Sequence, residues 1–218
     1  MTDLFIEPLH LLSLLGAEDA PILIDLRDAD DRDADRRCIP GADLCYLEDL
    51  DTRDLRPDRL VVAICQKGGK LSQLAAADLR QADRNAVVLR GGFLDWIAQG
   101  LPVQRQTDLG AAWVCPTDPT PAELSTLWLL RRWLAPEANV AVIERVWIEK
   151  ATQQRPLRDL SGLTPRMLSE ESGLEHPDLM QALSDLPPER AIRGRLRRDA
   201  DPLIALDILD DWVAGAGA

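Results

Sequence analysis

Residues 60–70 read Leu60-Val61-Val62-Ala63-Ile64-Cys65-Gln66-Lys67-Gly68-Gly69-Lys70. A short apolar run that is rich in β-branched residues and followed by turn formers is typical of a buried strand. The sequence therefore predicts a strand over residues 60–65 and a loop over residues 66–70. Apolar residues then recur at helical spacing from Leu71 to Leu79, which predicts that a helix begins directly after the loop.

The same alternation extends to both sides of this stretch. Two further short apolar runs, residues 21–26 and residues 86–89, predict strands, and residues 8–15 and 93–99 predict helices. Strands that alternate with helices indicate a mainly parallel sheet with helices on both faces. The predicted fold class of the first hundred residues is therefore α/β.

The alternation stops after residue 105. Residues 106–119 are rich in loop formers, among them Gly110 and Pro119, and they predict a linker. We therefore expect one domain over residues 1–105 and a second over residues 120–218.

The second domain is predicted to be mostly α-helical. Thr120, Pro121 and Glu123 have the residue types and spacing of a capping box, which marks the start of a helix. Residues 139–148 carry alternating apolar residues and predict one strand. The remainder of the chain reads as helices.

The composition indicates a globular protein and argues against several other classes of protein. The 218 residues are 46% hydrophobic and 28% charged, as in globular proteins, and the net charge of -12 makes nucleic acid a poor partner. We expect no membrane span, because no long apolar run occurs, and no secretory signal, because the N-terminus lacks a basic segment before an apolar one.

The cysteines stand alone in the sequence, and histidines number only two. This spacing excludes a zinc finger, and we expect neither a metal nor another cofactor. Isolated cysteines suit a reducing compartment, so we expect a cytoplasmic protein. The four cysteines are Cys38, Cys45, Cys65 and Cys115.

Cys65 has the surroundings of a reactive thiol. Glycines let the following loop curl so that its N–H groups point at one atom, and the start of the next helix adds partial positive charge. Lys67 and Lys70 add full charges, and together these groups favour a thiolate and stabilise an anion on the sulfur. The predicted site is Cys65 with a binding loop of Gln66, Lys67, Gly68, Gly69 and Lys70.

Two other interpretations of this loop fit the residues less well. A single cysteine at a strand end is often an inert core residue, but here the glycines, the lysines and the helix start coincide. A phosphate-binding P-loop would need glycine at position 64 and serine or threonine at position 71, where the chain has Ile64 and Leu71.

Four ordered blocks of the first half resemble the rhodanese-like sulfurtransferases. Residues 65–70 are similar to the six-residue active-site loop of that family. Residues 25–27 resemble its Asp-x-Arg after the first core strand, and residues 39–42 its Ile-Pro-Gly-Ala. The segment from Leu89 to Pro102 resembles its closing Gly-Gly, Trp and Gly-Pro pattern. The resemblance covers about residues 5–104.

This resemblance implies a sulfurtransferase whose Cys65 forms a persulfide. The donor would be thiosulfate or a similar anion held by the loop, and the acceptor a thiol or a protein cysteine. Asp25 and Arg27 would support the loop structurally. Covalent catalysis in two half-reactions predicts ping-pong kinetics. The short loop favours sulfur over the phosphate or arsenate substrates of related enzymes with longer loops.

A binding protein is the rival hypothesis. The family usually has Gly-His before the isoleucine of its second block, where this chain has Arg37 and Cys38. The preceding acidic stretch, residues 28–35, is interpreted as a solvated surface loop. With these departures, the domain could instead sense sulfane sulfur or oxyanions and act as a regulatory module.

In the second half, residues 125–138 resemble one segment of the C-terminal domain of chromate-resistance proteins. Residues 122–127 stand where that family has an acid and a cysteine, and both are missing here, so no metal or chromate role follows. The tryptophans of this half, Trp128, Trp133, Trp147 and Trp212, are predicted to be core residues.

Three further features of the second half carry expectations, and the first two have open interpretations. Five arginines within residues 190–198 could contact an anion or nucleic acid, although a solvated face balanced by nearby acids is the preferred interpretation. Cys115 could relay sulfur from Cys65, or it could be inert. Arg131 and Arg132 are expected to form surface pairs with Glu137 or Glu144.

Overall fold

A computed structural model describes residues 4–52, 55–106, 109, 112–185, 189–199 and 201–216. The chain divides into two compact units, Met1–Gln106 and Thr107–Ala218. The predicted linker residues 107, 108, 110 and 111 lie outside the described residues.

The first unit alternates strands and helices as the sequence predicts. Its elements are β1 (Phe5–Ile6), α1 (Pro8–Leu14), β2 (Ile22–Asp25), α2 (Ala29–Ala34), β3 (Arg37–Cys38), β4 (Asp43–Leu44), a 3-10 helix (Leu47–Thr52), β5 (Val61–Ile64), α3 (Lys70–Gln81), β6 (Ala86–Leu89), α4 (Gly92–Ala98) and β7 (Gln104–Arg105).

Five of these strands form a parallel sheet in the order β1-β6-β5-β2-β4. Every residue of β5 is buried, as expected for a central parallel strand covered on both faces. Because side chains alternate along a strand, Val61 and Ala63 pack on one face with α3, whereas Val62 and Ile64 pack on the other with α1 and α4. The predicted α/β class is confirmed.

The acidic stretch of this unit is a helix rather than a loop. Asp28 caps α2 by accepting a hydrogen bond from the Asp31 N–H at 2.8 Å. Further carboxylates in the first turn favour the positive end of the helix dipole. The prediction of a solvated surface loop over residues 28–35 is therefore wrong about the loop, because Asp28, Asp30 and Asp31 act as helix-start residues, whereas the stretch is largely solvent-exposed as predicted.

The second unit is mostly helical, as predicted. Its elements are β8 (Ala112–Pro116), α5 (Pro121–Leu129), a π-helix (Leu130–Leu134), β9 (Asn139–Ile143), α6 (Arg145–Gln154), β10 (Arg158–Asp159), α7 (Pro165–Ser172), α8 (Pro177–Ser184), α9 (Glu189–Asp199), a 3-10 helix (Ile204–Leu206) and α10 (Asp207–Ala216).

Two predictions for this unit need correction. Strand β8 lies inside the predicted linker and is the centre of a parallel sheet in the order β10-β8-β9. The predicted strand over residues 139–148 ends at Ile143, and Arg145 begins α6. Val146 and Trp147 are exposed in the first turn of α6, so the prediction that Trp147 is a core residue is also wrong.

Helix α5 begins with the predicted capping box. The Thr120 hydroxyl accepts from the Glu123 N–H, and the Glu123 carboxylate accepts from the Thr120 N–H. Trp128 and Trp133 are core residues as predicted, whereas Trp212 is 37% exposed.

Among the described contacts, the partners of the two arginines after α5 differ from the expected ones. Arg132 forms an ion pair with Asp210 at 2.9 Å, and Arg131 donates to the Ala138 carbonyl. Neither of these two partners is one of the surface acids, Glu137 and Glu144, that the sequence suggested. Over the described residues, no helix is both long and apolar enough to span a bilayer.

Candidate active site

Cys65 lies where β5 ends and the loop to α3 begins. Because β2, β5 and β6 run parallel, their carboxyl ends meet at the same edge of the sheet. Asp25, Cys65 and the residues after Leu89 therefore share this edge. Cys65 itself is 6% exposed.

The Cys65 sulfur is surrounded by hydrogen-bonding groups of its own loop and of α3. The Gly69 N–H donates to Cys65 Sγ at 3.2 Å, and the Ser72 hydroxyl lies 3.1 Å from the same atom. The Ser72 hydroxyl is also 3.2 Å from the Gly69 carbonyl oxygen, and the Gln73 side chain donates to the Gly68 carbonyl at 3.2 Å. The first turn of α3 thus holds both the loop and the sulfur.

These contacts lower the pKa of the Cys65 thiol. Burial acts in the opposite direction and raises the pKa, but hydrogen bonds from the Ser72 hydroxyl and from the backbone N–H groups of Ser72, Lys67 and Gly69 more than offset it. A hydrogen bond to the charged form of an acid favours that form. Cys65 is therefore prepared to react as a thiolate.

Glycines let a second segment pack directly under this loop. Gly68 and Gly92 both have positive φ, at 64°. A Cβ on Gly92 would lie 2.3 Å from the Cys65 carbonyl oxygen, and one on Gly68 would lie 2.6 Å from the Leu89 carbonyl oxygen. Only glycine therefore fits at these two positions.

Helix α4 also supports the loop through its backbone. The Phe93 N–H donates to the Cys65 carbonyl and the Leu94 N–H to the Gln66 carbonyl, both at 3.0 Å. The N–H groups in the first turn of α4 thus donate to two carbonyl groups of the loop. The N–H groups of the loop itself remain directed toward the sulfur.

The predicted supporting pair, Asp25 and Arg27, is buried beside the site. Arg27 donates to both carboxylate oxygens of Asp25, and its guanidinium stacks 3.9 Å from the centre of the Phe93 ring. Arg27 also donates to the carbonyls of Asp35 and Arg37. The pair joins the segments after β2 to the first turn of α4, and among the hydrogen bonds of the described residues neither side chain reaches Cys65 Sγ.

The loop side chains face solvent to different degrees. Lys67 and Lys70 are exposed, which leaves their ammonium groups available to an anion. Gln66 is half-buried, and its Oε1 has no hydrogen-bond partner among the described residues. An unpaired buried acceptor costs about 1–3 kcal/mol, so a donor group on a ligand would be stabilised there.

Two of the other cysteines have surroundings that disfavour a thiolate. Cys38 and Cys115 are buried, and burial raises the pKa of each to about 12. Cys115 lies in the middle of β8 and not in a linker, with no exposed surface. A thiol of this kind does not supply the thiolate that a sulfur relay would need.

Sequence reasoning missed the contact between Ser72 and the sulfur and the close packing of Gly92 against the loop. Ser72 follows the loop by two residues, so its place in the first turn of a predicted helix was the available signal. The contact of Gly92 joins segments 24 residues or more apart along the chain, and no local pattern predicts it.

A surface cleft lies at the opposite end of the sheet. Its volume is about 580 Å³, and it is lined by residues just before the strands, including Leu60 and Asn85. Arg56 and Asp58 in its wall form an ion pair with each other. Because the cleft lies where the strands begin and Cys65 lies where a strand ends, the cleft is separate from the site at Cys65.

Comparison with known proteins agrees with the predicted resemblance over the first unit. Residues 8–99 match the family model of the rhodanese-like domain. None of the curated proteins matches the chain. The resemblance of the second half to a chromate-resistance C-terminal domain stays a prediction.

Several solved structures are similar to part of the chain. A rhodanese-related protein from Thermoplasma volcanium is 25% identical and covers 45% of this chain and 94% of its own, with a TM-score of 0.39. A protein from Lactobacillus plantarum is 28% identical over 46% of this chain and 87% of its own, with a TM-score of 0.41. A thiosulfate sulfurtransferase from Pseudomonas aeruginosa is 25% identical over 46% of this chain and 19% of its own, with a TM-score of 0.39.

Proposed function

We propose that the protein is a sulfurtransferase that carries sulfane sulfur on Cys65. The observation that carries this proposal is the setting of Cys65 Sγ, which accepts a hydrogen bond from the Gly69 N–H at 3.2 Å and has a lowered pKa. The match of residues 8–99 to the rhodanese-like domain supports the same class of reaction.

The reaction proceeds in two half-reactions. In the first, the Cys65 thiolate attacks the outer sulfur of thiosulfate, the bond between the two sulfur atoms breaks, and sulfite leaves with the electron pair. Cys65 is then a persulfide that carries one negative charge on its outer sulfur. In the second, a thiophile such as cyanide attacks that outer sulfur, thiocyanate forms, and the Cys65 thiolate returns.

Each part of the loop has a role in this reaction. The loop N–H groups stabilise negative charge on sulfur, in the manner of an oxyanion hole. Lys67 and Lys70 attract the anionic donor, because both ammonium groups are exposed beside the cysteine. Asp25 and Arg27 hold the surrounding segments in place and do not act on the substrate.

Intact mass after incubation with thiosulfate tests the proposal. The wild-type protein is expected to gain the mass of one sulfur atom, and cyanide is expected to remove it with release of thiocyanate. Cys65→Ser should gain nothing. Cys45→Ser is the matched control, because Cys45 is also buried and its thiol donates to the Tyr46 carbonyl, a bond that serine retains.

The outcomes separate the two function classes. Repeated turnover with thiosulfate and cyanide supports an enzyme. One sulfur taken up by Cys65 without turnover would favour the sensor or binding module. A folded wild-type protein that takes up no sulfur from thiosulfate, or a Cys65→Ser variant that still does, would contradict the proposal.

A further inference from the structure

Ser72 has a buried hydroxyl in direct contact with the reactive sulfur. Its side chain is fully buried in the first turn of α3, and its Oγ lies 3.1 Å from Cys65 Sγ. This distance is short for a contact that involves sulfur. The hydroxyl therefore exchanges no hydrogen bond with solvent and responds only to groups of the site.

The hydroxyl has one proton and two neighbouring acceptors. The Gly69 carbonyl oxygen lies 3.2 Å from Oγ, on the loop residue whose N–H already donates to the sulfur. When Cys65 is a neutral thiol, its S–H can donate to Ser72 Oγ while the hydroxyl donates to Gly69. When Cys65 is a thiolate, the sulfur is the stronger acceptor and the hydroxyl turns to it.

We propose that Ser72 is a positioning residue for sulfur transfer, whose hydroxyl donates a hydrogen bond to the Cys65 thiolate and turns to the Gly69 carbonyl once the inner sulfur has become part of a persulfide. The inference rests on the proposed function. In the persulfide the negative charge lies on the outer sulfur, so the inner sulfur is a weak acceptor. Ser72 therefore raises the fraction of thiolate that attacks in the first half-reaction, and it stabilises the same thiolate as the leaving group of the second.

Charged side chains of the loop and of the neighbouring elements are all retained in a Ser72 variant, because Ser72 is uncharged and its described hydrogen bonds involve none of them. Within the loop they are the exposed Lys67 and Lys70. On the neighbouring segments they are Asp25 and Arg27, which pair with each other, and Asp95 of α4, which accepts from the Gln99 side chain. A difference between wild type and a Ser72 variant therefore reports the hydroxyl.

The first test measures the rate of Cys65 alkylation by iodoacetamide against pH, with Cys65 identified by peptide mass. No sulfur donor is present, so the result does not depend on the proposed function. Ser72→Ala is expected to move the midpoint of the profile upward by about one to two pH units, because a hydrogen bond to the charged form is lost. Ser72→Thr, which keeps a hydroxyl, is expected to retain the wild-type midpoint.

Ser172→Ala is the matched control. Ser172 is also fully buried in a helix, and its hydroxyl donates to the carbonyl three residues earlier at 3.1 Å, as Ser72 can to Gly69 at 3.2 Å. Its helix, α7, belongs to the other unit. The control should leave the midpoint at Cys65 unchanged.

The second test separates the half-reactions by rapid mixing near neutral pH. Persulfide formation from thiosulfate is expected to slow about tenfold in Ser72→Ala, as the thiolate fraction falls. Discharge of the preformed persulfide by cyanide is also expected to slow, because the Cys65 thiolate then leaves without its hydrogen bond from Ser72. At a pH above both alkylation midpoints, persulfide formation should return to the wild-type rate or exceed it, because the thiolate is then fully formed in both proteins. Slowing of persulfide formation that persists above both midpoints would overturn the proposal, because a general disturbance of the loop does not depend on the thiolate fraction.

The alkylation profile gives further outcomes that overturn the proposal. One is an unchanged midpoint in Ser72→Ala, and another is the same upward shift in Ser72→Thr as in Ser72→Ala. If the midpoint shifts as expected while the wild-type protein takes up no sulfur, the proposed function fails. In that case the contact of Ser72 with the thiolate is still confirmed, independently of the proposed function.

Discussion

At the scale of single residues, the site depends on how closely two backbone segments approach each other. Gly92 lies under the cysteine loop at a distance that leaves no room for a side chain: an added Cβ would lie 2.3 Å from the Cys65 carbonyl and 2.4 Å from the Gly68 nitrogen. Both neighbours are backbone atoms, which cannot rotate away. The direction of the loop N–H groups is thus fixed by packing as well as by loop sequence.

Replacing Gly92 should reduce the reactivity of Cys65 by more than the loss of stability from backbone strain alone would explain. Gly92→Ala is expected to reduce Cys65 alkylation and sulfur uptake strongly, because the methyl group must push the loop out of place. Gly100→Ala is the matched control, since Gly100 also has a positive φ, at 67°, but has open space around its Cβ position. Backbone strain alone costs about 1–2 kcal/mol.

Thermal unfolding and alkylation of both variants would check this prediction. Gly100→Ala should lose only stability and keep a reactive Cys65. If Gly92→Ala keeps the alkylation rate of Gly100→Ala, then the loop tolerates displacement, and the close approach has no part in the reactivity of the thiol.

At the scale of secondary structure, the parallel sheet collects residues that are distant in sequence. The carboxyl ends of β2, β5 and β6 meet at one edge, and Asp25, Cys65 and the Gly91–Gly92 turn follow those ends. The second unit has its own junction of elements. There Glu123 of α5 accepts from Arg145 at the start of α6 and from the Gly162 N–H after β10.

The Glu123 junction should make stability depend on pH. Burial raises the pKa of Glu123, but hydrogen bonds from Arg145, Thr120 and Gly162 outweigh it and lower the pKa to about 2. Since the folded pKa lies below that of the unfolded chain, the contribution is present above about pH 4.5 and is lost as the pH falls toward 2. Glu123→Gln should destabilise the second unit by roughly 1–3 kcal/mol near neutral pH.

Urea unfolding followed by tryptophan fluorescence measures this effect, because five of the six tryptophans belong to the second unit. Glu123→Gln should also weaken the loss of stability between pH 4.5 and 2. Glu170→Gln is the control, since Glu170 pairs with Arg166 on an exposed helix face. Equal losses in both variants at neutral pH would show that the junction adds nothing beyond a surface pair.

Local patterns in the sequence account for the elements and for the centre of the site, and contacts between distant segments account for what they miss. The strand, loop and helix around Cys65 are contiguous, so spacing and glycines suffice to predict them. The apolar residues of β8 are flanked by loop formers. The composition of this stretch therefore predicts a linker, although it contains the central strand of a sheet. Val146 and Trp147 continue the alternating apolar pattern of the strand, but they are exposed in a helix. The pattern does not show where the strand ends, because that depends on how far the strand pairs with its neighbour in the sheet.

At the scale of the whole molecule, the net charge of -12 contrasts with two local groups of cations. Lys67 and Lys70 are exposed beside Cys65, where they can attract a small anion. The arginines of α9 are in a different situation. Arg193 pairs with Glu189 and Arg195 with Asp207, so part of this basic surface is already neutralised by neighbouring acids.

The protein is therefore not expected to be retained on heparin at physiological salt. Binding to a polyanion gains free energy from each cation that replaces counterions, and paired arginines in a strongly acidic protein offer few such contacts. Asp207→Asn is a matched variant, because it removes the partner of Arg195 and one negative charge; it should elute slightly later than the wild type at low salt. Firm retention of the wild-type protein that weakens steeply with salt would contradict the prediction, and it would favour the interpretation of residues 190–198 as an anion-binding or nucleic-acid-binding surface.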